Sequence, residues 1–261
     1  MKFINRKREL DFLESKWQEG GAQLIVIWGK RRVGKTELIK QFIKNKPYIY
    51  FLAESTNETD QLRRFSQEAG KFFKDSFLQR RGFEDWVGSF EYLKSKSKKC
   101  ILAIDEFPFL IQANRAMPSL FQKAWDEYWK NSDIFLILSG SSIGMMETEV
   151  LGYRAPLFGR RTGQWRVEPF DFFEATQFRP YDEFEDRLMY FAVAGGIPAY
   201  WLYFDKGRNF WENLRKNVLS KGSPLYDEVE FLLREEFREP RYYFTILKAI
   251  SEGKRKLSEI V

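Results

Sequence analysis

Residues 29–36 read GKRRVGKT, which has the residue types and the spacing of a loop that binds phosphate groups. Glycines at two positions let the backbone wrap around an anion and point its N–H groups at phosphate oxygens. In such a loop the lysine reaches the β- and γ-phosphates of a nucleoside triphosphate, and the next hydroxyl ligates Mg²⁺. The predicted nucleotide-binding residues are Gly29, Arg31, Arg32, Val33, Gly34, Lys35, Thr36 and Glu37. Of these, Lys35 also acts in catalysis and Thr36 is a metal ligand.

Two acidic residues, Asp105 and Glu106, follow the apolar run CILAI at residues 100–104. Next to a phosphate-binding loop, the first carboxylate holds Mg²⁺ through water, and the second orients or deprotonates the water that attacks the γ-phosphate. We therefore predict that Asp105 supports the metal and that Glu106 is catalytic. The second acid favours hydrolysis over phosphoryl transfer to a small molecule.

Hydroxyls and arginines further along the chain complete the candidate catalytic set. Ser139 and Ser141 follow the apolar run IFLIL, where a hydroxyl can sense the γ-phosphate, and we favour Ser139. An ordinary turn is the alternative interpretation. Arg160 and Arg161 are candidates for stabilising transition-state charge, from the same chain or from a neighbour, with Arg154 as a third. A solvated surface pair is the alternative for these arginines.

Short apolar runs that alternate with helical patterns must position these residues. They predict strands at 23–28, 48–53, 100–104, 134–138 and 163–167, and helices that include 2–17, 37–44 and 119–130. This order predicts an α/β fold with a three-layer α/β/α core and a mainly parallel five-stranded sheet, over residues 1–169. Residues 170–238 are predicted to form a small helical lid domain. Residues 239–261 resemble the start of a helix-turn-helix or winged-helix unit that is truncated.

Composition narrows the chemistry further. The 261 residues are 44% hydrophobic and 18% aromatic, which excludes a disordered chain. The absence of histidine excludes Ser-His-Asp sites and histidine-based zinc sites, and a single cysteine, Cys100, excludes disulfide frameworks. One thiol fits a reducing cytosol, and no apolar stretch is long enough to span a bilayer, so we expect a cytoplasmic protein without a membrane partner. The net charge of +6 permits contact with nucleic acid.

Four segments together resemble the archaeal-type ATPases of the AAA+/STAND group, which are relatives of the origin-recognition ATPases. They read FINRKREL from residue 3, IVIWGKRRVGKTELI from residue 25, ILAIDEF from residue 101 and GGIPAY from residue 195. The resemblance covers roughly residues 1–205 and identifies the core as that of a P-loop NTPase. It implies that Asn5 and Arg6 lie near the adenine, and that Pro198 couples the nucleotide state to the lid. It also implies that Ser139 is a sensor and that Arg160 or Arg161 acts across a subunit interface.

These features favour an ATP-hydrolysing, Mg²⁺-dependent switch, which acts on DNA or on a protein partner through its C-terminal region and forms an oligomer. A P-loop kinase for a small molecule shares Lys35 and Thr36 but would need an acceptor pocket. A GTPase is disfavoured, because the partial guanine-reading match at Asn45 and Lys46 lacks its aspartate. The remaining alternative is an ATP-binding interaction or DNA-binding module that turns over no ATP of its own.

Overall fold

The computed structural model describes residues 3–96, 99–237 and 239–260, and its sheet confirms the predicted α/β class. The strands are β1 (Gln23–Trp28), β2 (Tyr48–Leu52), β3 (Cys100–Asp105), β4 (Ile134–Gly140) and β5 (Gly163–Arg166). They lie in the order β2-β3-β4-β1-β5, and each neighbouring pair is parallel. Every residue of β1, β3 and β4 is buried, as expected for central strands that helices cover on both faces.

Helices precede β1 and connect the strands of this sheet. They are α1 (Lys7–Glu19), α2 (Lys35–Ile43), α3 (Glu58–Phe73), α4 (Ser76–Arg81), α5 (Trp86–Ser95), α6 (Phe107–Ala113), α7 (Met117–Ala124) and α8 (Ile143–Met145). Two of them, α7 and α8, continue as π-helices over Trp125–Trp129 and Met146–Leu151.

The two faces of the sheet pack against different helices, because successive side chains of a strand point to opposite sides. On one face, Leu136 and Leu138 belong to the main hydrophobic cluster, with aromatic residues of α3, α5, α6 and α7. On the other face, the ring of Phe135 lies 5.7 Å from that of Trp17 in α1 and 5.4 Å from that of Phe42 in α2. The core therefore has three layers, and α2 covers the face that carries Phe135.

Several predicted element ends were displaced by one or two residues. β4 continues through Ser139 and Gly140, which the sequence analysis had placed after the strand, because both pair in register with β1. Helix α2 begins at Lys35 rather than at residue 37, since Gly34 adopts a left-handed conformation (φ 95°) and precedes the first turn. The helix predicted at 119–130 begins at Met117, with a proline in its first turn, as is common at helix starts. Thus Ser139 lies near the end of β4, and Lys35 and Thr36 lie in the first turn of α2.

The chain forms two compact units, which divide between Glu174 and Ala175. The predicted core ended at residue 169, and the predicted boundary at residue 238 lies outside the described residues. From the end of the first unit onward the helices are α9 (Phe172–Ala175), α10 (Phe184–Ala194), α11 (Pro198–Trp201), α12 (Phe210–Leu214), α13 (Glu228–Glu236), α14 (Pro240–Ser251) and α15 (Leu257–Ile260). A 3₁₀ turn over Thr176–Phe178 follows α9, and α12 continues as a π-helix over Arg215–Leu219.

An aromatic cluster around Tyr190 forms the core of the second unit. Its ring centroid lies 4.9 Å from that of Phe204 and 5.1 Å from that of Phe210. Asn213, which is completely buried, donates from Nδ2 to the Tyr190 hydroxyl at 2.8 Å and accepts from the backbone N–H of Asp205 at 2.8 Å. Both polar atoms of the Asn213 side chain are therefore paired inside this core. The turn between α14 and α15 contains Gly253 at φ 93°, and the winged-helix interpretation of this region stays a prediction.

Among the described residues, the structure contains no helix with the length and the apolar character that crossing a membrane would require.

The buried thiol of Cys100 gives a first testable prediction. Cys100 begins β3, and burial raises the pKa of its thiol to about 11. The reactive thiolate is therefore scarce at pH 8, so we expect the native protein to react slowly with a thiol reagent and the urea-unfolded protein to react fast. Because the chain has a single cysteine, the reaction reports on β3 alone. Rapid labelling of the native protein would contradict the buried position.

Candidate functional site

The loop after β1 wraps tightly because its backbone adopts conformations that few residues tolerate. Gly29 has φ 151°, and a Cβ on it would lie 2.3 Å from the carbonyl oxygen of Val167. Arg32 has φ 63° and Gly34 has φ 95°. Val33 is buried, whereas Arg31, Arg32 and the first-turn residue Glu37 are exposed. This curved loop at the start of α2 is a backbone arrangement that receives anions.

Lys35 joins this loop to the end of β4. Its Nζ donates to the carbonyl oxygens of Gly29 at 3.0 Å and of Lys30 at 2.9 Å. It also donates to the Oγ of Ser141 at 2.8 Å. The side chain is only 4% exposed, so its positive charge lies inside the loop where phosphate oxygens would sit. Lys35 therefore lies inside the loop and contacts the segment after β4, and its role in binding phosphate stays a prediction.

Asp105 is the centre of a hydrogen-bond network that joins α2, β2 and β4. Its Oδ2 accepts from the Oγ1 of Thr36 at 2.7 Å and from the hydroxyl of Tyr50 at 2.8 Å. Its Oδ1 accepts from the Oγ of Ser139 at 2.7 Å and from the backbone N–H of Glu106 at 3.1 Å. The carboxylate is completely buried. Four donors therefore occupy its two oxygens and fix its orientation.

A magnesium ion fits the donors of this site. The hydroxyl oxygen of Thr36 and the carboxylate of Asp105 are hard oxygen ligands of the kind that Mg²⁺ prefers, and they lie in contact beside the phosphate-binding loop. Because four donors already fill both carboxylate oxygens, an ion there would bind the Thr36 oxygen directly and Asp105 through water, which leaves room for phosphate oxygens and further water.

Glu106 lies on the other side of this network, against Ser141. Its Oε2 accepts from the backbone N–H of Ser141 at 3.1 Å, and its Oε1 accepts from the Oγ of Ser141. Because the same Oγ accepts from Lys35, one hydroxyl links the candidate base to the candidate phosphate ligand. Glu106 itself has a left-handed backbone (φ 56°) immediately before α6, which turns its side chain away from that of Asp105.

The sequence favours Ser139 over Ser141 as a sensor, and the structure brings both serines into contact with one of the acids. Ser139 contacts Asp105, and Ser141 contacts Lys35 and Glu106. The role of Ser139 as a sensor stays a prediction. Tyr50 was missed altogether. The pairing of β2 with β3 is the information that would have identified it. In this register Tyr50 pairs with Ala103, and Leu52, two residues later, pairs with Asp105.

The two candidate arginines are engaged within the first unit. The Nη2 of Arg160 lies 2.7 Å from the Oδ2 of Asp126, and its Nη1 donates to the carbonyl oxygen of Pro156 at 3.0 Å. Arg161 donates to the carbonyl oxygen of Leu151 at 3.1 Å, and burial lowers the pKa of its guanidinium. An arginine used at a γ-phosphate would first have to leave these partners, so their role as finger residues stays a prediction.

Arg6 supports the phosphate-binding loop from the N-terminal segment. Its Nη2 donates to the carbonyl oxygens of Val33 and of Glu168, each at 2.8 Å, and its Nη1 forms a 2.8 Å ion pair with Glu9. The guanidinium also lies 4.0 Å from the ring centre of Phe170. Arg6 therefore connects the loop, α1 and the segment after β5. Whether it also lies near an adenine, as the resemblance implies, stays a prediction.

The second predicted adenine residue, Asn5, donates from Nδ2 to the Oε1 of Glu174 at 2.7 Å, so it ties the N-terminal segment to α9. Pro198 begins α11 in the second unit. The structure therefore brings together Lys35, Thr36, Asp105, Glu106 and Ser139, and it places Arg6 against the loop and Asn5 against Glu174.

Replacing Arg6 with alanine is expected to lower the free energy of unfolding by about 3 kcal/mol, since it leaves the buried Glu9 carboxylate without its ion-pair partner. The matched control is Arg8→Ala, which removes an exposed arginine from the first turn of α1, two residues away. Urea unfolding of the three proteins measures the difference. Equal stabilities for the two variants would show that the Arg6 contacts do not hold the loop.

Comparison with known proteins gives a consistent result over most of the chain. Residues 3–200 match the family described as an ATPase domain predominantly from Archaea. An uncharacterised protein of Methanocaldococcus jannaschii is 39% identical over 259 residues, which cover 99% of this chain and 56% of that protein. An uncharacterised ATP-binding protein of the same organism is 64% identical over 44 residues, which cover 17% of this chain and 75% of that protein. The chain thus spans about half the length of the first relative.

Solved structures agree on the fold. A Walker-type ATPase of Pyrococcus abyssi superposes with a TM-score of 0.67 at 25% identity, over 99% of this chain and 82% of that one. The ORC2 protein of Aeropyrum pernix, solved in ADPNP-ADP complexes, has a TM-score of 0.54 at 13% identity, over 77% of this chain and 61% of that one. The second likeness concerns the fold alone.

Proposed function

Since this chain belongs to the family of ATPase domains found predominantly in Archaea, we propose that it binds ATP with Mg²⁺, hydrolyses the γ-phosphate bond and acts as a nucleotide-driven switch. The observation that carries the proposal is the contact network at the carboxyl ends of β3 and β4. There, one hydroxyl, that of Ser141, contacts both Lys35 and Glu106. This shared contact supports the proposal because it links Lys35, the proposed phosphate ligand, to Glu106, the proposed base, through a single side chain.

The residues divide the work of hydrolysis between them. The N–H groups of the loop and the Lys35 ammonium bind the phosphate oxygens and offset the negative charge that builds up as the bond breaks. Asp105 orients the Thr36 hydroxyl through the 2.7 Å hydrogen bond, so that its oxygen faces the metal. Thr36, with Asp105 behind it, would hold Mg²⁺, which would supply positive charge to offset that of the phosphates. Glu106 orients the attacking water and accepts its proton, while Ser141 holds the carboxylate in place.

The switch is the finer part of the proposal. Lys35 is bonded to loop carbonyls and to Ser141, and a γ-phosphate competes for the same ammonium. Binding and hydrolysis therefore alter contacts at the end of β4 and at the start of α6, where Glu106 lies. Through the chain that follows, such changes reach the helical second unit, which we propose carries the response to DNA or to a protein partner.

Release of phosphate from ATP and from GTP, each with Mg²⁺ and with EDTA, tests the proposal. We expect ATP turnover that requires Mg²⁺ and that exceeds GTP turnover. The same assay with duplex DNA tests the partner. Salt-dependent DNA binding with bound ATP and no turnover under any condition would instead favour an ATP-binding interaction module. A chain that binds no nucleotide would refute both.

A further inference from the structure

Tyr50 reaches the buried carboxylate of Asp105 from the edge of the sheet. It lies on β2, the outermost strand next to β3. Its hydroxyl donates to the Oδ2 of Asp105 at 2.8 Å, and this oxygen also accepts from Thr36 at 2.7 Å. Tyr50 belongs to none of the sequence motifs, yet it touches the same oxygen as the predicted metal ligand.

The register of the two strands makes this contact a built feature of the sheet. Tyr50 pairs with Ala103, and Leu52 pairs with Asp105. Because side chains alternate between faces, Tyr50 and Asp105 lie on the same face. Tyr48 and Leu52 share that face of β2 and are 43% and 40% exposed, whereas Tyr50 is partly buried and directed at the carboxylate.

The hydrogen bonds of Asp105 show what the Tyr50 hydroxyl does. An ionised carboxylate offers about four lone-pair sites, and Asp105 fills them with four donors, two on each oxygen. Ser139 and the N–H of Glu106 hold Oδ1, and Tyr50 shares Oδ2 with Thr36. Without the Tyr50 hydroxyl, Thr36 would be the single donor on Oδ2 among these four. The carboxylate would then lose one of the two hydrogen bonds that hold its Oδ2, the oxygen that contacts the predicted metal ligand Thr36.

We propose that Tyr50 is a positioning residue for the magnesium site. Its hydroxyl fixes the Asp105 carboxylate, and this carboxylate in turn orients the Thr36 hydroxyl toward the metal ion of the bound nucleotide. The inference rests on the proposed function, because it concerns the metal that accompanies ATP. Partners that orient the ligands of a metal typically contribute about 10- to 100-fold to its affinity.

The test compares the wild-type protein with Tyr50→Phe and with a matched control, Tyr48→Phe, which removes a hydroxyl from the exposed neighbour on the same face. Calorimetric titration measures the dissociation constant of ADP in Mg²⁺ and in EDTA, and the ratio of the two constants gives the coupling between metal and nucleotide. We expect Tyr50→Phe to raise the dissociation constant in Mg²⁺ about tenfold with the EDTA value unchanged, so that the constant in EDTA divided by the constant in Mg²⁺ falls about tenfold. Tyr48→Phe should match the wild type.

Other outcomes would overturn the inference. An unchanged ratio in Tyr50→Phe would show that the hydroxyl does not support the metal, while the proposed function would stand. Weakening of ADP binding by the same factor in Mg²⁺ and in EDTA would point to a general change of the pocket and would also refute it. Absence of any Mg²⁺ effect in the wild type would overturn the proposed function itself. If Tyr50→Phe does not fold, Tyr50→Leu removes the same hydroxyl and carries the same expectation.

Discussion

Replacing Glu106 with glutamine is expected to reduce ATP turnover about 100- to 1000-fold while ATP still binds with an affinity within about twofold of the wild type. Glutamine keeps the size of the side chain and an oxygen that can accept from the backbone N–H of Ser141. It cannot accept a proton from water, which is the step assigned to the carboxylate. Turnover should therefore fall without loss of the pocket.

Phosphate release under saturating ATP and calorimetric titration of ATP measure the two quantities separately. Glu127→Gln is the matched control, because it neutralises a half-exposed glutamate in the π-helix after α7, away from the network. We expect the control to retain wild-type turnover. If Glu106→Gln also retained it, the proton of the attacking water would have to go elsewhere, and Glu106 would be a structural contact of Ser141.

Replacing Lys35 with alanine is expected to weaken ATP binding about 100-fold and to abolish measurable turnover. The variant removes a buried charge that would pair with phosphate, and losing one partner of a buried charge pair costs about 2–5 kcal/mol. It also removes the link between the loop and Ser141, so the Glu106 carboxylate loses an indirect constraint. Turnover should therefore fall further than affinity.

The neighbouring lysine of the same loop provides the control for charge. Lys30 is exposed, and its backbone carbonyl, rather than its side chain, contacts Lys35. Lys30→Ala should therefore bind ATP with an affinity within a few-fold of the wild type. Calorimetric titrations of ATP and ADP into the wild type, Lys35→Ala and Lys30→Ala measure these affinities. An ATP affinity in Lys35→Ala equal to that of the wild type would refute the proposed phosphate contact.

Local patterns were sufficient for the strands and for the phosphate-binding loop. The buried strands β1, β3 and β4 have apolar sequences that indicate burial on both faces, and the spacing of glycines, lysine and threonine is a strictly local signal. Strand ends were less predictable. Ser139 is polar yet belongs to β4, because its backbone pairs with Ile27 of β1, and that pairing is a property of two distant segments.

Contacts between residues that are far apart in the sequence could not be predicted from local patterns. Ser141 lies 106 residues from Lys35 in sequence, and Tyr50 lies 55 residues from Asp105. Each contact depends on which strands are neighbours and on their register. The ion pair of Arg160 with Asp126 likewise depends on the π-helix that follows α7, which no sequence pattern had suggested. Motifs thus predicted several of the residues that the structure brings together, and strand pairing determined which of their atoms meet.

The contacts of Arg6 and Asn5 show which distant segments hold the start of the chain beside the phosphate-binding loop. Arg6 joins the phosphate-binding loop to the backbone of Glu168, and Asn5 joins the N-terminal segment to Glu174. A chimaera or a fusion that begins at α1 would retain every residue of the GKRRVGKT motif and yet release the loop from its support. Swaps between related chains should therefore keep residues 5–174 together, and a tag is better placed before residue 5 than within this range.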